Sequence, residues 1–183
     1  MLYRFLRILI IIIVKVFIRP KIIGKENIPS NGKIILAGNH TSILDCLVVI
    51  ASTKRYVHFL AKKELIKGPF KILFKNMGII PVDRSKKDKS VIPITEEYLN
   101  REEVIAIFPE GTTEKKRGLL PFKIGTVKIA RDTNTKIIPF VIKGKYFLNS
   151  KIVFDNSYIV GNKDLEEENR MFREHIEEML KEE

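Results

Sequence analysis

The run Ile34-Ile35-Leu36-Ala37, closed by Gly38, constrains this chain most. A short uninterrupted apolar run ended by glycine reads as a strand buried on both faces. Behind it, Ile43, Leu44, Leu47, Val48 and Ile50 fall at helical spacing. A buried strand that feeds a helix is the unit of an open α/β sheet, and such sheets bind ligands at the edge where strand gives way to helix. Between the two elements stands Asn39-His40-Thr41-Ser42-Ile43-Leu44-Asp45. It places an imidazole and a carboxylate five positions apart at that edge, with Thr41 or Ser42 available to cap the helix. A neutral imidazole held by a carboxylate can take a proton from a hydroxyl near pH 7. Taken alone, a histidine at a helix start is more often a structural residue.

The same alternation continues along 183 residues, a length that suits one domain with a real core. The pattern predicts a helix to about Thr53, then strands at Tyr56–Ala61, Ile79–Val82 and Glu103–Phe108. A surface helix is expected from Ile92 to Leu99 and another from Phe122 to about Arg131. Ile137–Ile142 reads as a strand interrupted by Pro139, which belongs at an edge or bulge. Lys151–Phe154 and Tyr158–Val160 suggest a final hairpin, and Asp164 opens a C-terminal helix with an apolar stripe. Residues 21–32, rich in turn formers, lead to the first strand at 33–37. The segment 61–85 is basic, with an apolar face broken at Gly68-Pro69. Neither repeats nor a second-domain linker are evident. The expected architecture is α/β, a mixed, largely parallel sheet flanked by helices.

Residues 1–19 differ in character. The apolar run Ile8–Val14 is too short to span a bilayer, which takes about 20 residues. On a helical wheel Arg4, Arg7, Lys15 and Arg19 occupy an arc of about 120°. This is the pattern of an amphipathic helix lying in a membrane interface, with 20–183 as the folded domain. The run carries no small-residue cleavage site of a signal peptide. The net charge of +11 favours an anionic partner. Without a zinc, RNA-binding or helix-turn-helix signature, nucleic acid is the weakest of these partners. Cys46 is the only cysteine and sits among apolar residues, which suits a small buried hydrophobe. There is no Gly-x-Ser-x-Gly elbow, P-loop or dinucleotide fingerprint, and the histidines lack metal-ligand spacing.

Three further strand ends carry chemistry. Asp83-Arg84 follows Ile79–Val82, where Arg84 either closes a turn salt bridge or captures a phosphate. Pro109-Glu110-Gly111-Thr112-Thr113 follows Glu103–Phe108, and Gly111 lets a ligand approach the backbone. Lys115, Lys116 and Arg117 lie beside it, and Lys123 stands near a helix start that already favours anions.

Four motifs occur in order: Asn39-His40-x4-Asp45, Gly78-Ile79-Ile80-Pro81-Val82-Asp83-Arg84, Phe108-Pro109-Glu110-Gly111-Thr112 and Ile138-Pro139. Together with Ala61-Lys62-Lys63-Glu64-Leu65 and Phe122-Lys123-x-Gly125, they resemble the glycerolipid acyltransferase family, specifically the bacterial 1-acylglycerol-3-phosphate O-acyltransferases (lysophosphatidic acid acyltransferases). The resemblance covers about residues 20–145. It implies acyl transfer from acyl-CoA or acyl-carrier protein to the free hydroxyl of a lysophospholipid in the membrane, without metal, cofactor or acyl-enzyme. It implies a monotopic protein on the cytoplasmic face. His40 would be the general base and Asp45 its orienting partner. Arg84 would bind the acceptor phosphate. Glu110 would position the glycerol phosphate through a hydroxyl and Gly111 through its backbone, with Thr112 beside them. Lys62 and Lys123 would add phosphate or donor contacts. The family motif usually continues with serine or arginine after Gly-Thr; here Thr113 leaves Arg84, Lys123 or the Lys115-Lys116-Arg117 run to complete the clamp. Another lysolipid acceptor, or lipid binding without turnover, are the alternative readings.

Overall fold

The computed structural model describes residues 2–66, 78–83, 91–113 and 118–182. Among them, seven strands form one sheet in the order β1-β7-β6-β2-β5-β3-β4. The strands are β1 (Lys21–Ile23), β2 (Ile34–Gly38), β3 (Val57–Lys62), β4 (Ile79–Val82), β5 (Val104–Ile107), β6 (Ile137–Lys143) and β7 (Lys151–Phe154). Every pairing is parallel except β6 with β7. The expected mixed, largely parallel α/β sheet is the one found.

Helices cover both faces, as a parallel sheet requires. In β2, Ile34 and Leu36 face one core while Ile35 and Ala37 face the other, which is why that strand reads as a continuous apolar run. The first core is closed by α1 (Leu2–Ile13), its continuation as a π-helix over Val14–Ile18, and α2 (Leu44–Ser52). The second is closed by α3 (Val91–Asn100), α4 (Gly125–Asp132) and α5 (Leu165–Lys181). Helix α3 is no mere surface helix, because it buries Val91, Thr95 and Leu99. Asp164 caps α5 as expected, its side chain accepting the Glu166 N–H at 2.9 Å.

Three local expectations are corrected. Strand β6 lies between β7 and β2, in the interior of the sheet, with Pro139 aligned to Ala37. The Pro139 carbonyl accepts the Asp155 N–H at 3.0 Å, and a strand residue aims its nitrogen to the same side as its carbonyl. Pro139 and Asp155 thus make one of the two bonds of an antiparallel pair, just where β7 ends at Phe154, so the proline costs the ladder only its terminal bond. The final hairpin does not form: Lys151–Phe154 pairs with β6 and β1, and Tyr158 makes its own bridge to Ile137 further along β6. Finally, Lys21–Ile23, read as part of a turn-rich segment, is an edge strand registered on β7.

The N-terminal helix is present, but its wheel is rearranged by packing. Val14 and Ile18 are buried and Ile10 packs beside them. Arg7 leaves the basic arc and donates to the Thr53 carbonyl at the far end of α2. Phe5, Ile8, Leu9, Ile12, Val16 and Phe17 are left exposed. No helix among the described residues is long and apolar enough to cross a membrane.

Candidate active site

His40 stands at the carboxyl end of β2, the central strand. Its Nδ1 lies 2.9 Å from Asp45 Oδ2. The ring stacks on Phe108, with centroids 3.9 Å apart and planes 12° from parallel. A carboxylate facing Nδ1 places the proton there and leaves the Nε2 lone pair available. The side chain keeps 15% exposure and lines a cavity, so it is held yet reachable.

Asp45 is fully buried, and donors occupy both oxygens. Oδ2 accepts the Thr41 N–H at 2.6 Å and the Ser42 N–H at 2.9 Å, besides facing His40. Oδ1 accepts from Thr41 Oγ1 at 3.2 Å and from the Tyr146 hydroxyl. Such a crowd compensates the burial of the charge. Ser42 Oγ accepts the Leu44 N–H at 3.2 Å, but the cap position itself falls on Ile43, whose side chain makes no capping bond, so neither Thr41 nor Ser42 is the cap. Burial pushes the Tyr146 hydroxyl above its ordinary pKa, and the bond to Asp45 adds to the shift.

Glu110 closes the site from the neighbouring strand end. Its Oε1 accepts the His40 backbone N–H at 2.8 Å and its Oε2 the Leu120 N–H at 3.0 Å. The side chain is buried and joins the loops after β2 and β5 to the segment before α4. A contact from Glu110 to a ligand hydroxyl would have to share these oxygens. Gly111 sits at φ +69°, and a Cβ there would lie 2.8 Å from Lys123 Nζ. Glycine is therefore required both by conformation and by the lysine laid over it.

The cavity, about 180 Å³, has His40, Gly111 and Lys123 on its polar side and mostly apolar residues elsewhere, among them Leu60, Val82, Ile107 and Ile129. Two connections distant in the chain, the one after β2 and the one between β5 and α4, thus meet around one imidazole. Thr112 is half-buried beside Gly111, whereas Lys62 is exposed at the end of β3, outside the cavity lining. Arg84 and the Lys115-Lys116-Arg117 run lie outside the described residues. No group of three or more metal-ligating side chains occurs among the described residues.

Two contributors were not legible in the sequence. Phe108 stands in the sequence as a strand end and the first residue of a motif, with no sign that it backs the imidazole, and nothing near Tyr146 signals a partner 101 positions away. Asn39, quoted only as part of a motif, clamps β6: its side chain accepts the Ile142 N–H at 2.7 Å and donates to the Ile142 carbonyl at 2.9 Å.

A profile of the family described as "Acyltransferase" matches residues 19–143. A 1-acyl-sn-glycerol-3-phosphate acyltransferase of Borreliella burgdorferi is 33% identical over 141 residues, covering 75% of this chain and 56% of that protein. One from Bacillus subtilis is 30% identical over 126 residues, 68% of this chain and 62% of that protein. The chain thus spans less than two thirds of these relatives. The crystal structure of the 1-acyl-sn-glycerophosphate acyltransferase of Thermotoga maritima superposes with a TM-score of 0.76 over 97% of this chain and 78% of that one, at 22% identity, a likeness of fold. With more than half its length matched by the family profile, the chain belongs to the acyltransferase family, alongside the 1-acyl-sn-glycerol-3-phosphate acyltransferases.

Proposed function

We propose that this protein transfers an acyl chain from a thioester donor, acyl-CoA or acyl-carrier protein, to the free hydroxyl of a 1-acylglycerol-3-phosphate, yielding phosphatidic acid. The observation that carries the reading is the His40–Asp45 pair, 2.9 Å apart, at the wall of a largely apolar cavity. Substrate class comes from the relatives' names; the donor and the roles below rest on chemistry.

His40 Nε2 takes the proton as the acceptor oxygen attacks the thioester carbonyl. The new C–O bond gives a tetrahedral oxyanion. Its collapse breaks the C–S bond, and the imidazolium returns the proton to the departing thiolate. Asp45 stabilises the imidazolium and holds the tautomer. General-base help of this kind is worth about 10²–10⁴ in rate. The apolar cavity wall suits an acyl chain. Lys123, with Arg84 and Lys62, would meet phosphate on the acceptor or donor, with Gly111 and Thr112 beside it. No metal or cofactor enters the scheme.

The acceptor's tail belongs in a bilayer, and exposing it costs about 0.8 kcal/mol per CH₂. The exposed apolar side chains of residues 1–19 support a monotopic protein at the cytoplasmic face, where the soluble donor is available. The test is thioester release by purified protein given lysophosphatidic acid and each donor. His40→Ala is expected to lower turnover by about 10²–10⁴ with an unchanged circular dichroism spectrum. Near wild-type turnover would remove His40 from the mechanism. Inactivity of the native chain with every donor and acceptor, alongside tight vesicle binding, would favour lipid binding without turnover.

A further inference from the structure

The connection between β6 and β7 exposes apolar side chains that the fold does not need. Gly144 at φ +78° starts a tight turn, in which the Lys145 N–H donates to Asn149 Oδ1 at 2.9 Å and the Asn149 N–H to the Lys145 carbonyl at 3.1 Å. Tyr146 turns inward against the core and reaches Asp45. Its neighbours turn outward: Phe147 is 65% and Leu148 80% exposed. Phe147 also sits at φ +65°, a costly conformation for an aromatic residue. A rigid, strained turn that holds two large apolar side chains in water serves a surface rather than the core.

The sheet register says where this surface lies. Gly38 pairs with Phe140 and Asn39 bonds Ile142, so β6 ends level with His40. Lys143 pairs with Lys151, and Lys151 with Lys21, so β1 begins at the same edge. The exposed Val16 and Phe17 of the N-terminal helix therefore end there, as does Ile43, 70% exposed and three residues past His40. The register also sets Lys143, Lys151 and Lys21 side by side across three strands, with Lys145 exposed in the turn. Like charges directly opposite are unfavourable, and only part of this is offset on Lys143, which donates to the Glu182 carbonyl and feels that residue's charge. Apolar side chains flanked by lysines match an anionic bilayer, with rings and methyls among the acyl chains and ammonium groups at the phosphates.

We propose that the Lys145–Asn149 turn is a second membrane contact, which dips Phe147 and Leu148 into an anionic bilayer and sets the mouth of the site at the interface. The proposal rests on the reading that the protein works at a membrane, and adds a surface outside residues 1–19.

The chain has no tryptophan, so full-length Leu148→Trp carries a single reporter. With vesicles of mixed phosphatidylcholine and phosphatidylglycerol, its emission is expected to shift to the blue and to be quenched by brominated acyl chains. The double variant Phe147→Ser/Leu148→Ser should bind these vesicles about tenfold more weakly or worse. Co-sedimentation with an unshifted, unquenched reporter would overturn the proposal and leave the membrane reading standing. Failure of the wild-type chain to co-sediment at all would overturn both. A blue shift that grows with protein concentration without lipid would place a second copy on the turn and overturn it too.

Discussion

Asp45 shows how much one side chain is asked to do. It orients His40 while accepting two backbone N–H groups and two hydroxyls from full burial. Asp45→Asn keeps one acceptor oxygen and turns an NH₂ towards donors. Stability should fall by about 3 kcal/mol, read from the urea midpoint, and turnover should fall with it. Next to it, burial pushes the Cys46 thiol from 9.0 up to about 12, and the Asp45 charge adds to the shift. A raised acid holds its proton more tightly in the folded state. Its contribution is therefore complete below pH 9 and is lost as the pH climbs from 9 to about 12. Denaturation midpoints should fall across that window, and Cys46→Ala should flatten part of the slope. At neutral pH the same thiol is protonated, so Cys46 is a poor nucleophile, in keeping with direct transfer to the acceptor.

At the scale of elements, the site is a set of strand ends tied together. Glu110 bridges two loops through the N–H groups of His40 and Leu120, and Asn39 locks β2 to β6. Glu110→Gln retains one acceptor oxygen for two donors. It should cost about 1–2 kcal/mol and speed hydrogen exchange at the amide of His40 or Leu120, with a drop in turnover from the loosened histidine loop. The strands that frame this arrangement were legible where burial on both faces makes the run uniformly apolar, as in β2 and β5. Strand β1 escaped because three residues between Pro20 and Gly24 carry no period, and only β7 defines them as a strand. Pro139 misled because its ring forbids a ladder bond, yet what that costs depends on where the neighbouring strand stops.

For the whole molecule, charge and exposed apolar surface point to the same partner. Helix α1 and its π-helical continuation serve two purposes: Val14 and Ile18 of the continuation complete a core, while the outer face is apolar. Deleting residues 1–19 would therefore damage the fold as well as any membrane contact. Replacing Phe5, Ile8, Leu9 and Ile12 with serine should weaken binding to anionic vesicles with little change in Tm. Binding of the native chain should weaken with salt, since the screening length shrinks from about 10 Å at 0.1 M to about 3 Å at 1 M. Sedimentation across a salt series measures both effects. What the chain's order of residues determined by itself was local: which runs become strands or helices, that His40 and Asp45 share one strand-to-helix turn, and that Glu110 and Gly111 fall in the loop after a strand. These follow from period, turn chemistry and spacing. Tertiary packing alone decided that Glu110 holds a backbone 70 positions away, that Phe108 backs the imidazole, and that Tyr146 completes Asp45 across 101 positions. Such contacts depend on strand order and register, which pattern along the chain does not encode locally.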